Sequence, residues 1–358
     1  MKDLTGKGRR SFLQKLSVVM GTSLLPIGSQ DIFANSNKME NWKVKNIKAL
    51  GFQWETLDPF LFCVHHEDFY PKGNDELGPT TGLSGRNLGQ DFMVKDGYRM
   101  YHGTKVPGFP GHPHRGFETI TVVRKGLVDH FDSSGASGRY GNGDVQWMTA
   151  GKGLQHSEMF PLLNSEEENP MELFQIWLNL PKKDKFVTPH FKMLWGDKIP
   201  DYSTIDRKGN KIKVEVVAGH IEGSIAPSPP PNSWANDQDN EVAVWNIEMD
   251  ANAEWSLPKA SEGVNRTIYF FKGKEMKLDS QVIEVYHSAQ VNPSEELLLS
   301  NGDEKAYLLI LQGKPINEPV VQHGPFVMNS KEEIREAFND FQKTKFGGWP
   351  WPSYDYVH

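Results

Sequence analysis

Two short segments limit what this chain can become. Residues 110–118 read Pro-Gly-His-Pro-His-Arg-Gly-Phe-Glu, and residues 151–160 read Gly-Lys-Gly-Leu-Gln-His-Ser-Glu-Met-Phe. His112 and His114 are therefore two residues apart, and so are His156 and Glu158. On extended backbone alternate side chains share a face, so each pair projects from one side of its strand. Two such strands, about forty residues apart in sequence, can converge on one ion with three imidazoles and a carboxylate. This donor set suits a borderline cation such as iron, manganese, nickel or zinc, and four protein ligands on an octahedral ion leave two positions for reactants.

The rest of the chain reads as sheet. Helical patterns are sparse, and β-branched and aromatic runs alternate with Gly, Pro, Asn and Asp, which points to antiparallel barrels or sandwiches. With 358 residues, two domains with separate cores are expected: 41–181, carrying the ligand segments, and 182–358. Strands are expected at 59–62, 119–123, 128–131, 145–148 and 173–180, then at 213–217, 242–248, 267–271, 282–285 and 307–311. The polar stretch 67–90 reads as a surface excursion beside the ligand segment, and Pro227-Ser-Pro-Pro-Pro231 as a stiff loop. Ile334, Ala337, Phe338 and Phe341 fall at helical spacing behind a Ser330/Glu333 capping signature, so a short helix closes the chain before an aromatic tail. Where the first half has its histidines the second has Asn265 and Arg266, so only the first domain offers this ligand set.

Composition excludes several functions. The single cysteine, Cys63, leaves no intramolecular disulfide partner and reads as a small buried apolar residue. The net charge is −7, and Lys182–Lys192, the one lysine-rich stretch, is short and interrupted, a solvated loop between domains; nucleic acid is not an expected partner. Residues 8–15, Gly-Arg-Arg-Ser-Phe-Leu-Gln-Lys, precede a modest apolar run too short to span a bilayer. They resemble a twin-arginine export signal over residues 1–34, with Ala34 as a cleavage point or the segment retained as an anchor. The resemblance implies passage through the twin-arginine machinery to the periplasm, with folding around the metal before export.

The motifs His112-Pro-His-Arg-Gly-Phe-Glu-Thr119, Gly143-Asp-Val-Gln-Trp-Met-Thr-Ala-Gly151 running into His156-Ser-Glu-Met159, Gln175-Ile-Trp-Leu-Asn-Leu-Pro181 and Gly324-Pro-Phe-Val-Met-Asn329 resemble those of the pirin family within the cupin superfamily. The resemblance covers about Asp58 to Phe346. It implies an all-β fold of two cupin-type antiparallel (jelly-roll) barrels packed together, with metal ligands at His112, His114, His156 and Glu158. Folding around the metal before export favours iron(II), with manganese, nickel, copper and zinc also compatible with the donors. It further implies a dioxygenase of the quercetin 2,3-dioxygenase kind, acting with O2 on a flavonol-like or other phenolic substrate. Glu158 would be a catalytic base as well as a ligand. The alternative is a non-catalytic metal-dependent binding or redox-sensing module. Glu118 is expected to support the ligands as a hydrogen-bond acceptor rather than to coordinate; Phe109, Met148 and Met159 are candidate pocket walls; His65, His66, His102 and His130 are expected at surface or turn positions.

Overall fold

The computed structural model describes residues 42–358, so the expected export signal, residues 1–34, lies outside the described residues. The first half contributes β1 (Val44–Ala49), β2 (Gln53–Trp54), β3 (Phe60–Tyr70), β4 (Gly108–His114), β5 (Phe117–Lys125), β6 (Leu127–Asp132), β7 (Ser137–Gly141), β8 (Val145–Thr149), β9 (Leu154–Met159), β10 (Asn169–Asn179) and β11 (His190–Leu194). A six-stranded sheet in the order β11-β8-β5-β10-β3-β2 faces a four-stranded sheet in the order β4-β9-β6-β7. All these ladders are antiparallel.

β5 and β10 are buried on both faces, which is why they read as near-continuous apolar runs. Thr119, Thr121 and Val123 of β5 pair with Trp177, Gln175 and Leu173 of β10 and point into the first barrel. Their alternating neighbours, Ile120, Val122, Phe174, Ile176 and Leu178, point the other way. There they join Val217, Val244, Tyr269, Phe271, Leu309 and Leu311 of the second barrel in one apolar cluster that also holds Cys63. At roughly 1.5–3 kcal/mol for each large side chain fully buried, this contact outweighs the polar ties between the barrels. Burial pushes the Cys63 thiol up, in keeping with a packing residue.

The second barrel closes a seven-stranded sheet, which also takes in β1 from the start of the described chain, over a four-stranded sheet made of Glu254–Leu257, Leu297–Asn301, Glu275–Leu278 and Gln281–Glu284. Its interior is packed with Val214, Trp245, Ile247, Ile268, Phe270, Leu299 and Leu308 among others. Arg266 is buried there but spends its guanidinium on Gln312 Oε1 (2.6 Å) and the Pro258 carbonyl (2.7 Å), and Asn265 donates to the Asp58 carbonyl. These two positions thus fasten loops.

Helix α1 (Lys331–Thr344) begins at Ser330 with both halves of the capping box formed and buries Ile334, Ala337 and Phe341. The aromatic tail after it returns to the first barrel. Gln155 Nε2 donates to the Lys345 and Gly348 carbonyls, Trp351 Nε1 donates to the Asp132 carbonyl, and Phe131 packs against Trp351 and Tyr356. Gly111 N donates to the Tyr354 carbonyl, and a Cβ at Gly111 would stand 2.3 Å from the Tyr354 ring. The tail therefore straps the outer face of the strands whose inner face carries the ligand residues.

Candidate metal centre

β4 and β9 pair so that His112 lies opposite His156 and Phe109 opposite Glu158, with an irregularity between Phe109 and His112 that bends β4. Imidazole nitrogens of His112, His114 and His156 all lie within 4.8 Å of one another. His114 and His156 are buried, whereas His112 keeps an edge open to solvent. His112 Nδ1 is 3.0 Å from the Pro110 carbonyl and His114 Nδ1 is 3.4 Å from the Pro325 carbonyl. In each ring Nδ1–H donates, leaving Nε2 as a bare lone pair for a cation. Both ring nitrogens of His156 are buried with no hydrogen-bond partner among the described residues, as expected of a side chain that serves a ligand or an ordered water.

The electrostatics agree. Burial lowers the His112 imidazole to about 4, and burial together with the neighbouring rings holds His114 and His156 well below the ordinary histidine value. All three are neutral donors. Glu158 Oε2 lies 3.8 Å from His156 Nε2. Its oxygens are held by the Thr121 hydroxyl (2.8 Å) and the Gln175 amide (2.8 Å), and burial raises it to about 7 despite those bonds. Three neutral imidazoles beside one carboxyl fit a divalent cation.

The loop after His114 is clamped by residues that sequence reasoning did not single out. Lys185 is buried, and its ammonium donates to the Gly116 carbonyl (2.7 Å), Asn179 Oδ1 (2.7 Å) and the Val327 carbonyl (3.2 Å). Gly116 adopts φ +86, and a Cβ there would stand 2.1 Å from the Val327 oxygen. Arg115 reaches Asp340 of α1 (2.9 Å) and the Lys152 carbonyl (2.7 Å). The Gln175–Pro181 and Gly324–Asn329 motifs thereby acquire roles: Gln175 and Asn179 come from the first, the Pro325 and Val327 carbonyls from the second.

Several expectations need correction. Glu118 does not touch an imidazole: it sits on the outer face of β5, accepting from Thr149 Oγ1 (2.6 Å) and from Ser233 Oγ (2.5 Å), with burial lifting it to about 7. The turn at Gly116 reverses the parity between His114 and Glu118. Lys182–Lys192 is not simply a solvated loop, because Lys185 is interior and β11 pairs with β8. His66 and His130 are buried strand residues, and His65 lies between Glu172 (3.3 Å) and the Phe174 and Phe271 rings. His130 stacks on Phe191, with its ring 5.6 Å from that of His156. Glu67–Tyr70 of the expected surface excursion belong to β3. Met148 is buried on the same face as Thr119, while Met159 alternates away from Glu158. Phe109, partly exposed, leads outward from His112 (6.4 Å between centroids) to Phe92 (6.5 Å) and then Phe52 (6.5 Å).

Two family descriptions match the chain, Pirin over residues 43–178 and Pirin C-terminal cupin domain over residues 244–347. A Pseudomonas aeruginosa protein named "Putative quercetin 2,3-dioxygenase" is 34% identical over 67% of this chain and 79% of its own length. The chain belongs to the pirin family. Human pirin is 34% identical over 72% of this chain and 82% of its own. Among solved structures, a quercetin 2,3-dioxygenase from Acinetobacter baumannii superposes with a TM-score of 0.66 at 27% identity, covering 86% of this chain and 98% of that one. The two-barrel cupin architecture is thus that of pirins.

Proposed function

We propose that this pirin is a metal-dependent dioxygenase of the quercetin 2,3-dioxygenase kind, acting with O2 on a flavonol-like or related phenolic substrate. The observation that carries the reading is the meeting of three neutral imidazoles, one with both nitrogens unpartnered among the described residues, beside the partly exposed Phe109. His112, His114, His156 and Glu158 would hold the cation, with iron(II) favoured. When bound, a redox-active cation supplies Lewis acidity toward a substrate hydroxyl and a partner for electron exchange with dioxygen.

The chain's own groups account for the remaining requirements. Glu158 stands beside the imidazoles and takes up a phenolic proton, and the Thr121 and Gln175 bonds hold its carboxyl in place to do so. Phe109 and Phe92 offer ring faces to a flat substrate. Inside the barrel, Thr119 Oγ1, Trp177 Nε1 and both amide atoms of Gln146 are buried without partners among the described residues, polar contacts left for reactants or water. Passage through the twin-arginine machinery to the periplasm belongs to this proposal; locating the protein in periplasmic and cytoplasmic fractions tests it, and protein confined to the cytoplasm refutes it.

The test of the activity is oxygen uptake by iron-loaded protein with a panel of flavonols and catechols, wild type against Glu158→Ala. Uptake that is specific for some panel members and lost in the variant is expected. Uptake absent with every compound, or unchanged in the variant, refutes the reading and favours a non-catalytic metal-dependent binding or redox-sensing module.

A further inference from the structure

A second constellation stands apart from the ligand cluster, across the aromatic wall. Asp68 is fully buried, and its carboxylate is gripped by Arg99: Nε to Oδ1 at 2.9 Å, Nη2 to Oδ2 at 3.0 Å and the Arg99 backbone N–H to Oδ1 at 2.9 Å. A carboxylate matched this way to a guanidinium stays ionised and only accepts hydrogen bonds. Tyr101 Oη is 2.6 Å from Asp68 Oδ2, so its single hydrogen is committed to Asp68. His66 Nδ1 lies 2.7 Å from the same Tyr101 oxygen. With the phenol hydrogen already used, the bond between them exists only if His66 Nδ1–H donates. His66 is thus fixed as the tautomer whose Nε2 is a bare acceptor.

Nothing in the described chain uses that acceptor: Nε2 of His66 has no hydrogen-bond partner among the described residues. Burial, reinforced by the Arg99 charge, holds the imidazole well below its ordinary value, so it accepts a hydrogen bond without taking the proton. The ring is framed by aromatic neighbours, edge-on to the exposed Phe52 (6.1 Å) and 5.9 Å from Phe109. Phe109 is in turn 6.4 Å from His112. One phenylalanine ring therefore connects the acceptor to the candidate metal centre, a separation that a multi-ring flat molecule can bridge. Tyr101 itself adopts φ +56, which bulky side chains rarely do. Reciprocal backbone bonds with Asp91, both 2.8 Å, hold it there.

We propose that His66, oriented by Tyr101, Asp68 and Arg99, is a specificity-determining residue that accepts a hydrogen bond from a hydroxyl on the substrate ring farthest from the metal. The assignment rests on the functional reading above and sharpens it: the preferred substrate carries a hydroxyl at the metal end and a second one at the distal end.

Binding to zinc-loaded protein, where turnover does not interfere, is compared for quercetin, hydroxylated on its distal ring, and 3-hydroxyflavone, which lacks distal hydroxyls. Wild type is expected to prefer quercetin. His66→Phe is expected to weaken quercetin about tenfold, the loss of one hydrogen bond, and to leave 3-hydroxyflavone within about twofold. His66→Gln, whose amide both donates to Tyr101 and offers an oxygen outward, is expected to recover part of the loss. A readout on wild type alone covers the case of a variant that fails to fold: in 15N-histidine NMR, His66 Nε2 is unprotonated in the free protein and shifts upfield when quercetin binds. If wild type binds both compounds and His66→Phe weakens both equally or neither, or if Nε2 carries the proton, the assignment falls while the functional reading stands. If wild type binds neither compound, this assignment falls, and the functional reading falls with it only if oxygen uptake is also absent across the whole panel of flavonols and catechols.

Discussion

Lys185→Met is the substitution that best tests how the loop behind His114 is held. The ammonium donates to three acceptors, the Gly116 and Val327 carbonyls and Asn179 Oδ1, and methionine fills a similar volume while donating to none. Leaving three buried acceptors unpaired costs about 3 kcal/mol at roughly 1 each, the low end of the range for unsatisfied groups. Opposing this, burial lowers the Lys185 ammonium from its usual value of 10.5 to about 7, so keeping it charged inside already costs stability. The sign follows from proton linkage. Below about pH 7 both folded and unfolded chains carry the proton, and the full penalty is present. Between about 7 and 10.5 the unfolded chain binds the extra proton, so wild-type stability rises with pH, by at most about 1.4 kcal/mol per unit.

Other groups titrate alike in wild type and variant and cancel in the difference. The gap between the two proteins should therefore widen by about 2 kcal/mol from pH 7 to pH 9, with the variant the less stable at pH 9. Urea unfolding of metal-free protein at both pH values measures it. A gap independent of pH would mean that Lys185 titrates as an exposed lysine does and that the clamp is not a desolvated ammonium. A gap of the right slope but near zero at pH 9 would mean that the three acceptors find other donors.

Because the three imidazoles are already neutral near pH 6 and Glu158 is held near 7, zinc binding should displace about one proton at pH 6 and few above pH 8. Affinity should thus rise about tenfold per pH unit below 7 and level off above it, and calorimetric titrations showing a slope near three would refute neutral imidazoles. Gly116→Ala, which puts a Cβ 2.1 Å from the Val327 oxygen at φ +86, should cost about 3 kcal/mol and lower metal stoichiometry; a melting temperature equal to wild type would refute the close approach. Glu118→Ala should cost about 1 kcal/mol through its lost hydroxyl bonds yet leave metal content unchanged, and loss of metal would show that Glu118 supports the ligands after all.

How much of this was legible in the sequence depends on whether the determining contacts are local. The i, i+2 spacing of His112 and His114, and of His156 and Glu158, names a shared strand face without reference to anything distant, and β4 and β9 bring the three imidazoles together. The capping box at Ser330 is local in the same way. Strands buried on both faces, such as β5 and β10, announce themselves by apolar runs. Four-residue strands such as Glu254–Leu257 and Glu275–Leu278 alternate over too few positions to stand out from turns. The misplaced residues share a different cause. Glu118 is expected to support the ligands, but a left-handed Gly116 lies between it and His114, and a strand period does not survive such a turn. Lys185 looked solvated because its neighbours in sequence are charged, whereas its acceptors come from residues 116, 179 and 327. His66 looked like a turn residue for want of a ligand partner two positions away; its partners are Tyr101, Asp68 and Arg99. Short-range periodicity thus identifies the residues able to touch a cation. The groups that orient them, Pro325 above all, are chosen by how the second half of the chain folds back onto the first, which no window of sequence contains.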